Sequence, residues 1–158
     1  KVIKNYYIGS VEYLENRYDE IKELCNQFNA RAMLRLNKRS YSKVAFKTMQ
    51  NIANSMANGE YSFIKKSYDR AVGNGNSEPK GSKTWILDWD GDFDIYDAEK
   101  LGNLLNKSQP IEQETFICFI PSKTGMHIIV SPFDSRDFQK EYPEVEIHKN
   151  NPTNLYIP

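Results

Sequence analysis

Residues Thr84 to Asp90 follow an apolar strand pattern that runs straight into two carboxylates, Asp88 and Asp90, with Gly91 immediately behind them. Side chains two apart on a strand share a face, so Asp88 and Asp90 project together while Leu87 and Trp89 pack on the other side. Carboxylates held that close repel unless a cation lies between them. Oxygen donors of this kind suit hard divalent ions such as Mg²⁺ or Mn²⁺, and sites with two such ions need more than one carboxylate. Two solvated Asp at a strand end is the plainer alternative, and it leaves the apolar approach to them unexplained.

At 158 residues, 39% of them hydrophobic, the chain suffices for one domain with a real core. Its longest apolar run, Phe116 to Ile120, is far too short to span a bilayer, and its first residues carry no signal-peptide pattern. Membrane insertion and secretion are therefore disfavoured. Cys25 and Cys118 form neither a C-x-x-C nor a disulfide framework. They read as buried thiols of a reducing cytoplasm. The chain starts at Lys1 and stops in a strand pattern at Pro158, as a piece of a longer protein would.

The formal net charge of zero hides an asymmetry: residues 1–83 carry a balance of +7 and residues 84–158 one of −7. From Leu24 to Gly59 there is no acidic residue, while Arg31, Arg35, Lys38, Arg39, Lys43 and Lys47 all fall there. This is the footprint of a surface facing phosphates, with a solvated basic face as the alternative.

The hydrophobic periodicity predicts a strand over Asn5 to Ile8, then a helix opened by Ser10 with Val11, Leu14, Tyr18, Ile21, Cys25 and Phe28 on one face. A strand over Arg31 to Asn37 follows, with Ala32, Leu34 and Leu36 on its apolar side. A second helix starts near Ser40, its stripe made of Tyr41, Val44, Ala45, Thr48, Met49, Ile52 and Met56, and ends at Asn58-Gly59. A shorter helix over Tyr61 to Val72 leads to the loop-like residues 73–81, the best internal boundary. Beyond it come strands at Thr84–Asp90, Thr115–Ile120, Met126–Val130 and Glu144–His148, with helices at Tyr96–Leu105 and Ser135–Glu141, and a last strand at Asn154–Ile157. The expected fold class is α+β. A basic αβ module, residues 1–80, is packed with a module over residues 81–158 in the order β-α-β-β-α-β, an arrangement like the RNA-recognition motif (RRM-like) with one strand added.

Three known patterns compete for the carboxylate strand. It resembles the D-x-D-G motif of haloacid-dehalogenase-type phosphatases, in which Asp88 would be nucleophile and Asp90 acid/base, but that family's later paired-acid motif is missing. An EF-hand loop places acids at Asp88, Asp90, Asp92, Asp94 and Glu99, yet Phe93 stands where Gly makes the turn. The third pattern covers nearly the whole chain. Ile86-Leu87-Asp88-Trp89-Asp90, Gly125-Met126-His127 and Val145-Glu146 resemble, in order, the hhhDhD/E, sxH and hD/E motifs (h hydrophobic, s small) of the archaeo-eukaryotic primase superfamily, as found in phage- and plasmid-type primase-polymerases.

That resemblance implies a template-dependent nucleotidyltransferase using two divalent ions, Mg²⁺ or Mn²⁺, held by Asp88, Asp90 and Glu146, with Glu144 as a substitute for the last. It implies that His127 contacts the triphosphate of an incoming nucleotide. Ser122, Lys123 and Thr124, in the turn before it, offer hydroxyls and a cation to phosphate, and His148, which shares the face of Glu146, would support the site or touch the nucleotide's phosphates. Arg31, Arg35, Lys38, Arg39, Lys43 and Lys47 would track nucleic-acid phosphates. Tyr6, Tyr7, Tyr41 and Tyr61 serve either as stacking platforms or as core. The implied partners are a single-stranded DNA template, nucleoside triphosphates and a replicative helicase, with no membrane. A catalytically degenerate single-strand-binding member of the same family is the alternative within that resemblance.

Overall fold

Ser10 is extended and its hydroxyl accepts the Tyr13 N–H, which opens helix α1, Val11–Phe28. Asn29 closes it in the left-handed region at φ 46°. This is the capping chemistry that small polar residues supply at helix ends. The structure, a computed structural model, describes residues 2–73, 83–111 and 114–158. These form two compact units, residues 1–34 with 154–158, and residues 35–153. The sequence boundary at residues 73–81 falls almost wholly outside the described residues.

In the smaller unit α1 buries Ile21 and Cys25. The strand expected at Asn5 to Ile8 is not formed. There Lys4 and Tyr6 direct their side chains to Glu20 of α1 instead, Tyr6 Oη donating at 2.8 Å. Strand β1 is only Ala32–Leu34 and pairs with the last strand of the chain, β6, Thr153–Tyr156. Tyr156 also donates its hydroxyl to Asn26 and meets the Tyr18 ring edge-on.

The strand pattern read through Asn37 stops early because Asn37 turns inward. In the larger unit its amide donates to the carbonyls of Thr84 (2.9 Å) and Lys149 (3.0 Å), and its oxygen accepts the Thr84 N–H at 2.8 Å. Helix α2, Tyr41–Ala57, is capped by Ser40, but its inward face differs from the apolar stripe. Val44 and Ser55 are buried, whereas Met49 and Met56 are 70% and 54% exposed. Asn51 of this helix makes a polar contact to α3, donating to the Ser67 carbonyl, while Thr48 bonds back to the Val44 carbonyl within the helix. The single helix expected over Tyr61 to Val72 is a 3-10 segment, Tyr61–Lys66, followed by α3, Ser67–Gly73.

The remaining elements are β2 (Trp85–Asp90), α4 (Ile95–Lys107), β3 (Phe116–Pro121), β4 (Gly125–Val130), α5 (Arg136–Glu141) and β5 (Glu146–His148). Asp94 and Asp97 close a reciprocal capping box on α4. Their carboxylates are thus committed to backbone N–H groups, against the EF-hand reading. The sheet order is β3-β4-β2-β5, antiparallel at every pairing. One face carries Leu87, Ile128 and Val130 onto Leu101 and Leu105 of α4, Phe138 of α5, and Phe133, Tyr142 and Val145. Each such burial is worth about 1.5–3 kcal/mol. Cys118 is exposed on the edge strand β3, so only Cys25 is the buried thiol expected of both.

Candidate active site

The other face of the same sheet gathers the chemistry. Asp88 lies directly opposite His127 of β4 and, on its other side, directly opposite Glu146 of β5. Directly paired residues of antiparallel strands point to one face. The three side chains therefore lie on one face of the sheet, which they share with the buried Ile86 and Ile129. His148 is paired with Ile86 and is the diagonal neighbour of Asp88.

The Asp88 carboxylate lies between two imidazoles. His127 Nε2 is 3.3 Å from Oδ1, and His148 Nε2 is 3.4 Å from Oδ2 and equally 3.4 Å from Oε2 of Glu146. His127 is 9% exposed, and its Nδ1 is 2.9 Å from the hydroxyl of Thr153. Sequence reasoning missed Thr153. Its only signal is a β-branched hydroxyl residue in a short strand after the last motif, which says nothing about its spatial neighbour.

Asp90 stands at the end of β2, outside this imidazole cluster. Thr124 Oγ1 donates to its Oδ1 at 2.8 Å, and the Thr124 carbonyl accepts the Gly91 N–H at 2.7 Å. Gly91 has φ 93°, a region that L side chains rarely adopt, so a glycine belongs after the second carboxylate. Gly125, the small residue before Met126-His127, is paired with Asp90. Lys123 and Thr124 are exposed in the turn between β3 and β4, whereas the Ser122 hydroxyl is shielded from solvent and has no hydrogen-bonding partner among the described residues. Glu144 lies outside β5, so Glu146 is the acid that faces Asp88.

The basic residues divide. Arg39 donates to the carbonyls of Val72, Asn37 and Lys38 and to the Asn150 side chain. Burial, then the neighbouring Arg35 charge, push its guanidinium below the usual range. Arg35 donates to the Asn150 carbonyl at 3.0 Å. These two side chains hold the turn after β5; Arg39 spends most of its donors on these contacts, whereas exposed Arg35 uses only one of its five. Arg31, Lys38 and Lys43 are exposed, and half-buried Lys47 donates to Gln50.

Among the described residues no three His, Cys, Asp or Glu side chains are grouped about one metal position, and the His148 imidazole lies 3.4 Å from both the Asp88 and the Glu146 carboxylate. The donor set is nonetheless of the right chemistry: carboxylate oxygens on one face of a rigid sheet suit a hard divalent ion. Among the described residues no helix is long and apolar enough to cross a membrane. Comparison of the chain with family models, with curated proteins and with solved structures finds no match in any of the three.

Proposed function

We propose that this chain is the catalytic core of a template-dependent nucleotidyltransferase of the primase-polymerase kind, joining nucleotides with release of pyrophosphate. The observation that carries the reading is the register that sets Asp88 between His127 and Glu146 on one sheet face. The topology supports it as well. β4 lies between β2 and β3, and β2 lies between β4 and β5, so each β-α-β unit is split by a strand of the other, as an RRM-like module requires.

Asp88, Asp90 and Glu146 would hold Mg²⁺ or Mn²⁺, which when bound would lower the pKa of an attacking hydroxyl and neutralise the leaving pyrophosphate. The chain's own residues position the substrate. His127 points Nε2 at the carboxylate face from a buried ring, so this N–H is aimed where a polyphosphate would meet the acids. Lys123 adds an exposed cation in the turn beside Asp90. Lys38, Lys43 and Lys47 of the larger unit supply cations for a single-stranded template, with affinity falling as salt rises, and Arg31 is an exposed cation of the smaller unit.

Incubation with single-stranded DNA, nucleoside triphosphates and Mg²⁺ or Mn²⁺ should yield products that Asp88→Ala does not make. Equal synthesis by that variant would remove the assignment. Salt-sensitive strand binding without synthesis by the wild-type chain would leave a binding module in its place, and phosphate release from an aryl phosphate in place of synthesis would favour the D-x-D-G phosphatase.

A further inference from the structure

The His127 ring is held at both nitrogens, and the groups that hold it differ in kind. Asp88 is a carboxylate and can only accept, so its contact with Nε2 calls for the proton to sit on that nitrogen. In the neutral ring Nδ1 then carries the lone pair, and the Thr153 hydroxyl at 2.9 Å donates to it. Thr153 is 1% exposed, so no substrate reaches its oxygen. The hydroxyl-imidazole-carboxylate sequence is consequently not a nucleophilic triad, despite its order of contacts.

We propose that Thr153 is a positioning residue for His127. It anchors the inner edge of the imidazole so that the Nε2–H faces the carboxylate surface, and remains there when Asp88 is drawn to a cation. Asp88 alone fixes the ring poorly: it reaches only the Nε2 edge, at 3.3 Å, and a carboxylate that shifts toward a cation carries that one contact with it. The second anchor has to come from a group that a cation cannot recruit. Thr153 meets this condition: it is uncharged, buried and on β6, outside the four-stranded sheet. The inference deepens the nucleotidyltransferase reading and rests on it for the identity of the ligand, a nucleoside triphosphate.

Thr153→Val keeps the shape and removes the hydroxyl; Thr153→Ser keeps the hydroxyl. Long-range ¹H–¹⁵N spectra of the ligand-free proteins at about pH 8, above the ordinary imidazole range, read the ring directly. The Nδ1 resonance should sit at a hydrogen-bonded acceptor position in the wild type and in the Ser variant, and move to a free acceptor position in the Val variant. An unchanged Nδ1 resonance in Thr153→Val overturns the contact. Titration with a nucleoside triphosphate and Mg²⁺ should then show about tenfold weaker binding for Val and recovery for Ser. Wild-type affinity in a Val variant whose Nδ1 has moved overturns the positioning role. If the wild-type protein binds no triphosphate, the nucleotidyltransferase reading and the role toward nucleotide fall together, while the spectra still decide whether Thr153 holds the ring.

Discussion

Gly125 meets the Trp89 carbonyl with no room for a side chain: a Cβ at Gly125 would stand 2.0 Å from that oxygen, with Asp90 Cα and Gly91 N both at 3.0 Å. All three are backbone atoms, so the obstruction cannot rotate away. Gly125→Ala should push β4 off β2, costing about 1–3 kcal/mol in urea unfolding. It should also lengthen the His127–Asp88 contact. A variant as stable as the wild type would show that the strands separate freely here.

Asp88→Asn preserves shape and removes the charge that two imidazoles share. On the proposed function, nucleotide incorporation should fall by at least about 100-fold, since the lost group is electrostatic and central. The far-ultraviolet circular dichroism spectrum should not change, because the apolar core lies on the other face of the sheet.

Tyr142 is 5% exposed, and its hydroxyl has no hydrogen-bonding partner among the described residues. Burial pushes its phenol above the usual range. Its ring packs on Trp89 and Phe138, and Lys100 stands over it, contacts that Phe would retain. Tyr142→Phe should therefore stabilise the protein by about 1 kcal/mol, read as a higher urea midpoint at unchanged slope.

Asn37 is 8% exposed and satisfies the backbone of Thr84 and Lys149 at once. Asn37→Ala orphans these groups and should cost about 2–4 kcal/mol. Lys149 follows His148 directly, so the loss should also loosen the His148–Asp88 contact. Hydrogen exchange at residues 84–86 and 146–149 should rise more than in α4.

Glu20 is held down to about 2 from an ordinary 4.5, first by its hydrogen bond from Lys4 and then by that from Tyr6. A carboxyl depressed in the folded state stabilises it fully above the unfolded value, and this contribution disappears as pH falls from about 4.5 through about 2. Glu20→Gln should flatten the acid limb of the stability profile over that window. The Glu20 side-chain carbon resonance should titrate with a midpoint near 2.

Much of the local structure was legible because it depends on neighbours in sequence. Ser10 and Ser40 cap helices in the structure as they do in the pattern, and the β-α-β-β-α-β element order after residue 83 follows the switch from period 3.6 to period 2. Where the local reading failed, a distant partner intervened. The strand at Asn5 to Ile8 gave way to contacts with Glu20, and the apolar stripe of α2 gave way in part to the polar contact of Asn51 with Ser67.

The candidate site divides in the same way. Alternation along a single strand determines that Asp88 and Asp90 share a face and that Leu87 points away from them, because pleating is a property of the backbone itself. Only the tertiary structure decided that Asp88 has His127 on one side and Glu146 on the other, that His148 bridges two acids, and that Thr153 closes on the imidazole from behind. Strand register and strand order depend on which apolar faces must be covered together, and that choice is made by the whole core rather than by any one segment.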